Sequence, residues 1–146
     1  MKFTNESEAV RKEAAKLKSK GVDIIVVLSH CGLEVDYEIA KYAGPDIDVI
    51  VGGHSHYFLY TGPNAPGPDK VIDDYPVVVT QSDGHKVLII ATSEYLKYVG
   101  NLTVYFDAEG NVDSWQGAPI FMDSNLPKGS SMASSQNISL IRTTFR

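Results

Sequence analysis

The chain has 146 residues, of which 43% are hydrophobic and 21% charged, and its net charge is −5. That length suits one domain with an ordinary core, and that composition belongs to a folded globular protein rather than a disordered one. The acidic balance, with no dense Lys/Arg cluster, argues against nucleic acid as a partner, and no apolar run approaches the ~18 residues of a membrane span.

The opening MKFTNESEAV lacks the apolar core of a secretory leader, so the chain is expected to be either cytosolic or already processed. Three of the six asparagines, Asn5, Asn101 and Asn137, stand in N-x-S/T. That excess over chance favours a secreted chain with these three as candidate glycosylation sites. The single cysteine, Cys31, makes no intrachain disulfide and decides nothing about compartment.

Asn5 with Glu8 three residues on forms a capping box, Val10, Ala14 and Leu17 make one stripe, and Gly21 is a C-cap. Together they predict a helix over 6–20. The run DIIVVL (23–28) suits a strand buried on both faces, and the loop SHCG follows it. Val35, Ile39 and Tyr42 recur at helical spacing and predict a helix over 34–43, ended by Gly44-Pro45. Residues 48–51 read as the next buried strand, so the order is that of a parallel α/β layer. TGPNAPGPDKVIDDYP carries four of the seven prolines and reads as a long excursion. Runs of β-formers at 77–81, 87–93, 99–106 and 112–121, separated by SDGHK and DAEGN, are expected to pair as antiparallel strands. The first 126 residues are expected to form one partial domain, and the Ser-rich segment 127–146 a flexible tail.

Sites in open α/β sheets form outside the carboxyl ends of the strands. His30 directly follows the first buried run, and His54 and His56 follow the second, behind Gly52-Gly53. If the two strands are neighbours, three imidazoles meet in one crevice, and imidazole nitrogen suits Zn²⁺. Gly32, Gly52 and Gly53 would let the backbone turn sharply and come close to a ligand. The alternative is that His54 and His56 are loop residues held by backbone hydrogen bonds. Among the lesser candidates, Cys31 is expected to be a small buried residue and His85 to be exposed at a turn tip. Asp83 reads as a turn former, and Tyr57, Phe58 and Tyr60 as a core-packed aromatic strip.

VVLSHCGLEVDYEIAKYAGPDIDVIVGGHSHYFLYTG, followed by YPVVVTQSDGHKVLIIATSEYLKYVGNLTVYFDAEGNV, resembles the 5′-nucleotidase and apyrase family, ecto-enzymes of the metallophosphoesterase class. Within that family it is most similar to forms secreted in the saliva of blood-feeding insects. The resemblance covers roughly residues 6–126. It implies the second half of a calcineurin-like metallophosphoesterase sandwich: an α/β domain of two parallel strands with helices, continuing into an antiparallel sheet. It also implies that two metals activate water against a terminal phosphate, with His30 and His54 ligands of one metal and His56 a ligand of the other. The family's other ligands, an Asp-x-His, a bridging Asp and an Asn in G-N-H-E/D, lie earlier in its chain. None of them is expected in this chain, neither an Asp-x-His nor a G-N-H.

Two cations cannot be held a few Å apart without the bridging carboxylate. His30, His54 and His56 are therefore expected to be a vestigial half-site with no catalytic residue and no cofactor, taking at most one weakly bound zinc. The expected function is that of a secreted, catalytically incomplete homologue acting on a host cell-surface or extracellular protein. The uncovered sheet face is a candidate homodimer contact. The alternative is a segment of an active enzyme that hydrolyses AMP, ADP or ATP.

Overall fold

The structure is a computed structural model that describes residues 3–126 and the backbone of a strand at 140–145. Its elements in chain order are α1 (Glu6–Lys18), β1 (Val26–Leu28), α2 (Leu33–Tyr42), β2 (Val49–Val51), β3 (Phe58–Leu59), β4 (Val71–Asp73), β5 (Val77–Thr80), β6 (Lys86–Ile90), β7 (Tyr98–Val99), β8 (Asn101–Phe106), β9 (Val112–Gln116), β10 (Ile120–Phe121) and β11 (Leu140–Phe145). No helix among the described residues is long and apolar enough to cross a membrane.

Both ends of α1 are set by local chemistry. The Asn5 side chain accepts a hydrogen bond from the Glu8 N–H at 3.1 Å, and Glu6 and Glu8 lie in the first turn, where the helix dipole favours negative charge. At the other end the chain reverses through Gly21 at φ +83°. The Gly21 N–H donates to the Lys18 carbonyl at 2.9 Å and the Val22 N–H to the Leu17 carbonyl at 3.2 Å, the two bonds of a Schellman closure. The helix thus stops at Lys18, two residues short of the sequence expectation.

The main sheet has the order β1-β2-β6-β5. β1 and β2 are parallel, with Val26 opposite Val49 and Leu28 opposite Val51. The expected parallel pair with its helices is therefore present. β6 differs from the expectation: it lies parallel to β2, with Val49 opposite Leu88, and only β5 runs antiparallel, as the outer strand. Val87, Leu88, Ile89 and Ile90 are all buried, so neither face of β6 meets water. An unalternating apolar run of this kind belongs in the middle of a parallel sheet. The remaining strands form smaller sheets: β8 pairs β9 antiparallel and β11 parallel, β7 pairs β10, and β3, just before the Pro-rich excursion, pairs β4 within it.

One contiguous core joins Ala14 and Ile39 of the helices, Val49 and Ile50 of β2, the β6 residues, and Leu102, Val104 and Phe106 of β8. α2 packs against β5 and β6. The sheet face expected to be uncovered is thus filled at its central strands. The apolar exposure lies instead at the edge, where Leu28 at the end of β1 is 82% accessible. Most of the expected tail lies outside the described residues, and its stretch 140–145 forms β11.

Candidate metal centre

The two histidine-bearing loops leave the carboxyl ends of adjacent strands. Ser29 follows β1, and its N–H donates to the Val51 carbonyl at 2.9 Å. Gly52 follows β2, and its N–H donates to the Ile90 carbonyl at 2.8 Å. Strand pairing therefore carries directly into both loops and brings the rings of His30 and His54 together edge to face, with centroids 5.4 Å apart and planes at 66°. Two imidazoles on one tetrahedral zinc, with Zn–N bonds of about 2.0–2.1 Å, place their ring centroids about 5 Å apart. The His30 and His54 rings stand close to that separation.

Asp36, in the first turn of α2, stands between the loops. It is 1% exposed; Ser29 Oγ donates to its Oδ1, and Ser29 Oγ in turn accepts the Cys31 N–H at 3.2 Å. Its Oδ2 is buried without a partner and lies against the Cα of Gly52, well inside the distance at which any Cβ could stand. Burial pushes the Asp36 carboxyl above its ordinary value, against the lowering effect of the Ser29 hydrogen bond. The same carboxylate thus ties down the His30 loop by a hydrogen bond and supports the His54 loop by contact.

The glycines serve this packing differently from one another. Gly32 takes φ +93° at the start of α2 and supplies the turn. Gly52 and Gly53 are not in the left-handed region; what they supply is room. A Cβ on Gly53 would stand 2.9 Å from His30 Nδ1. The left-handed turns fall on the histidines themselves, His54 at φ +74° and His56 at φ +56°.

His56 does not join the other two. Its ring turns toward Glu94, with Nδ1 2.5 Å from Oε2, and lies 6.3 Å from the Tyr95 ring. Among the described residues no group of three or more His, Cys, Asp or Glu side chains could hold one metal. The structure therefore brings together two of the three histidines singled out in the sequence. The single alternation His54-Ser55-His56, with both histidines left-handed, sends successive side chains to different neighbours. Neither Glu94 nor Asp36 stands out in the sequence: Glu94 meets His56 only through the sheet order, and Asp36 meets Gly52 only where α2 packs onto the sheet. A Ser hydroxyl at the end of an apolar run was the only local hint of a buried acceptor.

Two lesser expectations are corrected here. Cys31 is exposed rather than buried, because its loop lies outside the strand end. His85 is held rather than free: its Nε2 is 2.7 Å from the Ile47 carbonyl, while its N–H donates to Asp83 Oδ1 at 3.0 Å. Asp83-Gly84-His85 is moreover an Asp-x-His, the motif the chain was expected to lack. It sits in the β5–β6 turn at the amino end of β6, across the sheet from His30 and His54. The aromatic strip packs inward as expected: Phe58 is buried and stacked on Tyr98 at 4.2 Å, Tyr57 packs half-buried against the core, and the half-buried Tyr60 stacks on Phe58.

No protein-family model matches the chain. It is 47% identical to an apyrase of Tabanus yao over 129 residues, which cover 88% of this chain and 23% of that protein. It is 53% identical to an apyrase of Anopheles gambiae over 128 residues, 85% of this chain and 22% of the relative. A solved 5′-nucleotidase precursor from Thermus thermophilus superposes on 82% of the chain with a TM-score of 0.74 and 38% identity, again over only 23% of that chain. The chain spans less than a quarter of the length of the proteins it matches.

Proposed function

The chain is a relative of the apyrases and 5′-nucleotidases over less than a quarter of their length, and from that kinship we propose that it carries the histidine part of a phosphoesterase metal site without being a hydrolase by itself. The observation that carries the reading is the pair His30 and His54, edge to face at 5.4 Å on neighbouring parallel strand ends. Imidazole donors on a scaffold fixed by Asp36, Gly52 and Gly53 suit a borderline divalent metal such as zinc. A metal held there would polarise a phosphoryl oxygen and acidify a bound water. Two neutral imidazoles provide no negative charge, and one metal with two protein donors falls short of the three that catalytic zinc sites use. These residues therefore bind one metal weakly and leave nucleotides intact.

The same reading places the protein outside the cell, directed at a host surface or extracellular protein. Asn5 and Asn101 are both exposed, and a glycan on the Asn5 amide nitrogen leaves its oxygen free for capping Glu8. Asn137 lies outside the described residues. A second reading is favoured by alignment over only 23% of a relative: the segment serves within an intact enzyme whose other ligands complete the site. The mass of the protein purified from its native source separates the two.

Zinc titration by calorimetry on the wild type and on His54→Ala tests the metal reading, alongside phosphate release from ATP, ADP and AMP. One weak site abolished by the substitution, with no phosphate release above that of the variant, is the expected result. Tight binding of two metals, or hydrolysis that follows the wild-type protein through purification, overturns it.

A further inference from the structure

Charge is unevenly placed along the chain. Residues 11–20, RKEAAKLKSK, hold five of the 13 Lys and Arg residues and one of the 18 Asp and Glu residues, so this stretch is net +4 in a protein whose net charge is −5. No more than two of the five adjoin, which leaves them inconspicuous as a run. The helix gathers them. α1 buries Ser7 and Ala14 and packs Val10 and Leu17 against the core, while Arg11, Lys12, Lys16, Lys18 and Lys20 are all exposed. Lys12 and Lys16 stand one turn apart on the outer side, about 6 Å along the axis, and Lys20 continues past the C-cap Ser19.

Most of this charge is left uncancelled. Among the described residues only Lys16 of the five pairs with a carboxylate, that of the exposed Glu13 at 3.0 Å, and such pairs contribute little in water. Lys18 Nζ donates to the Asp23 carbonyl at 3.1 Å and Arg11 to the Tyr42 carbonyl, bonds that hold the two side chains in place and keep their charge. The helix dipole accounts for Lys16 and Lys18 in the last turn, but its influence falls off within that turn and does not reach Arg11 or Lys12. At physiological ionic strength charges more than about 8 Å apart are largely screened, so the strip meets a partner with its own sign and not with that of the whole protein.

We propose that Arg11, Lys12, Lys16, Lys18 and Lys20 form a docking strip for a sulfated polysaccharide of the host surface. The strip is one helix wide and fits a linear polyanion, whereas a flat anionic bilayer laid on α1 would also meet the exposed Glu6, Glu8 and Glu13. A helix that lies in a membrane interface needs a free apolar side, and that of α1 is packed into the core. α1 also has no aromatic side chain to stack on a base and no Asn or Gln to read one. The exposure and sign of the strip stand by themselves; the choice of a host polysaccharide rests on the extracellular placement proposed above.

Fluorescence anisotropy of labelled heparin, titrated with the full chain at about 0.15 M salt, tests the strip. Binding should weaken as salt is added, and the double variant Lys12→Gln with Lys20→Gln should bind about 10–30-fold more weakly at fixed salt. Lys70→Gln with Lys86→Gln removes the same charge elsewhere and should change binding by less than about twofold. No heparin binding by the wild type overturns the proposal, and so does an equal loss in the two double variants. Binding to phosphatidylserine vesicles or to a DNA duplex as tight as to heparin at the same salt also overturns it, reassigning the strip to a membrane or to nucleic acid. A protein retained inside the cells of its native source overturns the extracellular placement and the host polysaccharide with it, even where heparin binds; a secreted protein that ignores heparin overturns this proposal alone.

Discussion

Asp48 ties together the three strands behind the candidate site, and replacing its charge should stabilise the protein in a pH-dependent way. It is 3% exposed, and its Oδ2 accepts the Ile25 N–H at 2.8 Å, joining β2 to the approach of β1. Its carbonyl accepts the Leu88 N–H at 2.9 Å, joining β6. Burial pushes its carboxyl from 3.8 up to about 6, against the lowering effects of the Ile25 N–H, His85 and Lys18. The folded state thus binds the proton more tightly than the unfolded chain. Stability is unaffected by this group below about pH 4, falls as pH rises between about 4 and 6, and carries the full cost above. A displacement of about two pK units at 1.36 kcal/mol each gives an upper bound of about 3 kcal/mol. Asp48→Asn keeps an oxygen for the Ile25 N–H and removes the charge. It is expected to be more stable than the wild type by about 1–3 kcal/mol at about pH 8, and nearly equal to it at about pH 4. Urea unfolding at the two pH values, followed through the single tryptophan, Trp115, measures this. A variant that is less stable at pH 8, or a difference that does not change with pH, would refute the reasoning.

Gly52→Ala drives a methyl against the buried Oδ2 of Asp36 and should cost about 1–3 kcal/mol. The double variant with Asp36→Ala should recover much of the Gly52 penalty, a coupling measurable in a denaturation cycle and refuted by simple additivity. Gly53→Ala places its Cβ 2.9 Å from His30 Nδ1 in a backbone conformation open to alanine. Its main effect is therefore expected on zinc affinity, a loss of about tenfold by calorimetry; an unchanged affinity would mean that the His30 ring is free to move aside.

The kinship with apyrases and 5′-nucleotidases was legible in the S-H-x-G and G-G-H-S-H stretches, and the fold behind them was largely legible too. Asn5, Glu8 and Gly21 marked one helix, Gly44 and Pro45 ended the other, and DIIVVL and DVIV gave the parallel pair. Each of these signals acts within a few residues: a side chain caps its own helix, a glycine reverses its own turn, and an apolar run declares burial wherever it ends up.

Tertiary structure alone decided what depends on residues far apart in the chain. KVLII was readable as a buried strand, but its place parallel to β2 was set by the return of the chain after the Pro-rich excursion. That placement fixes where the turn after β6 emerges, and so puts Glu94 against His56. Asp36 meets Gly52 because α2 packs over the strand ends, a contact absent from any local pattern. The sequence by itself determined which side chains could bind a metal. The sheet order determined which of them face each other, because a hydrogen bond or a ring contact depends on distance in space and not on separation along the chain.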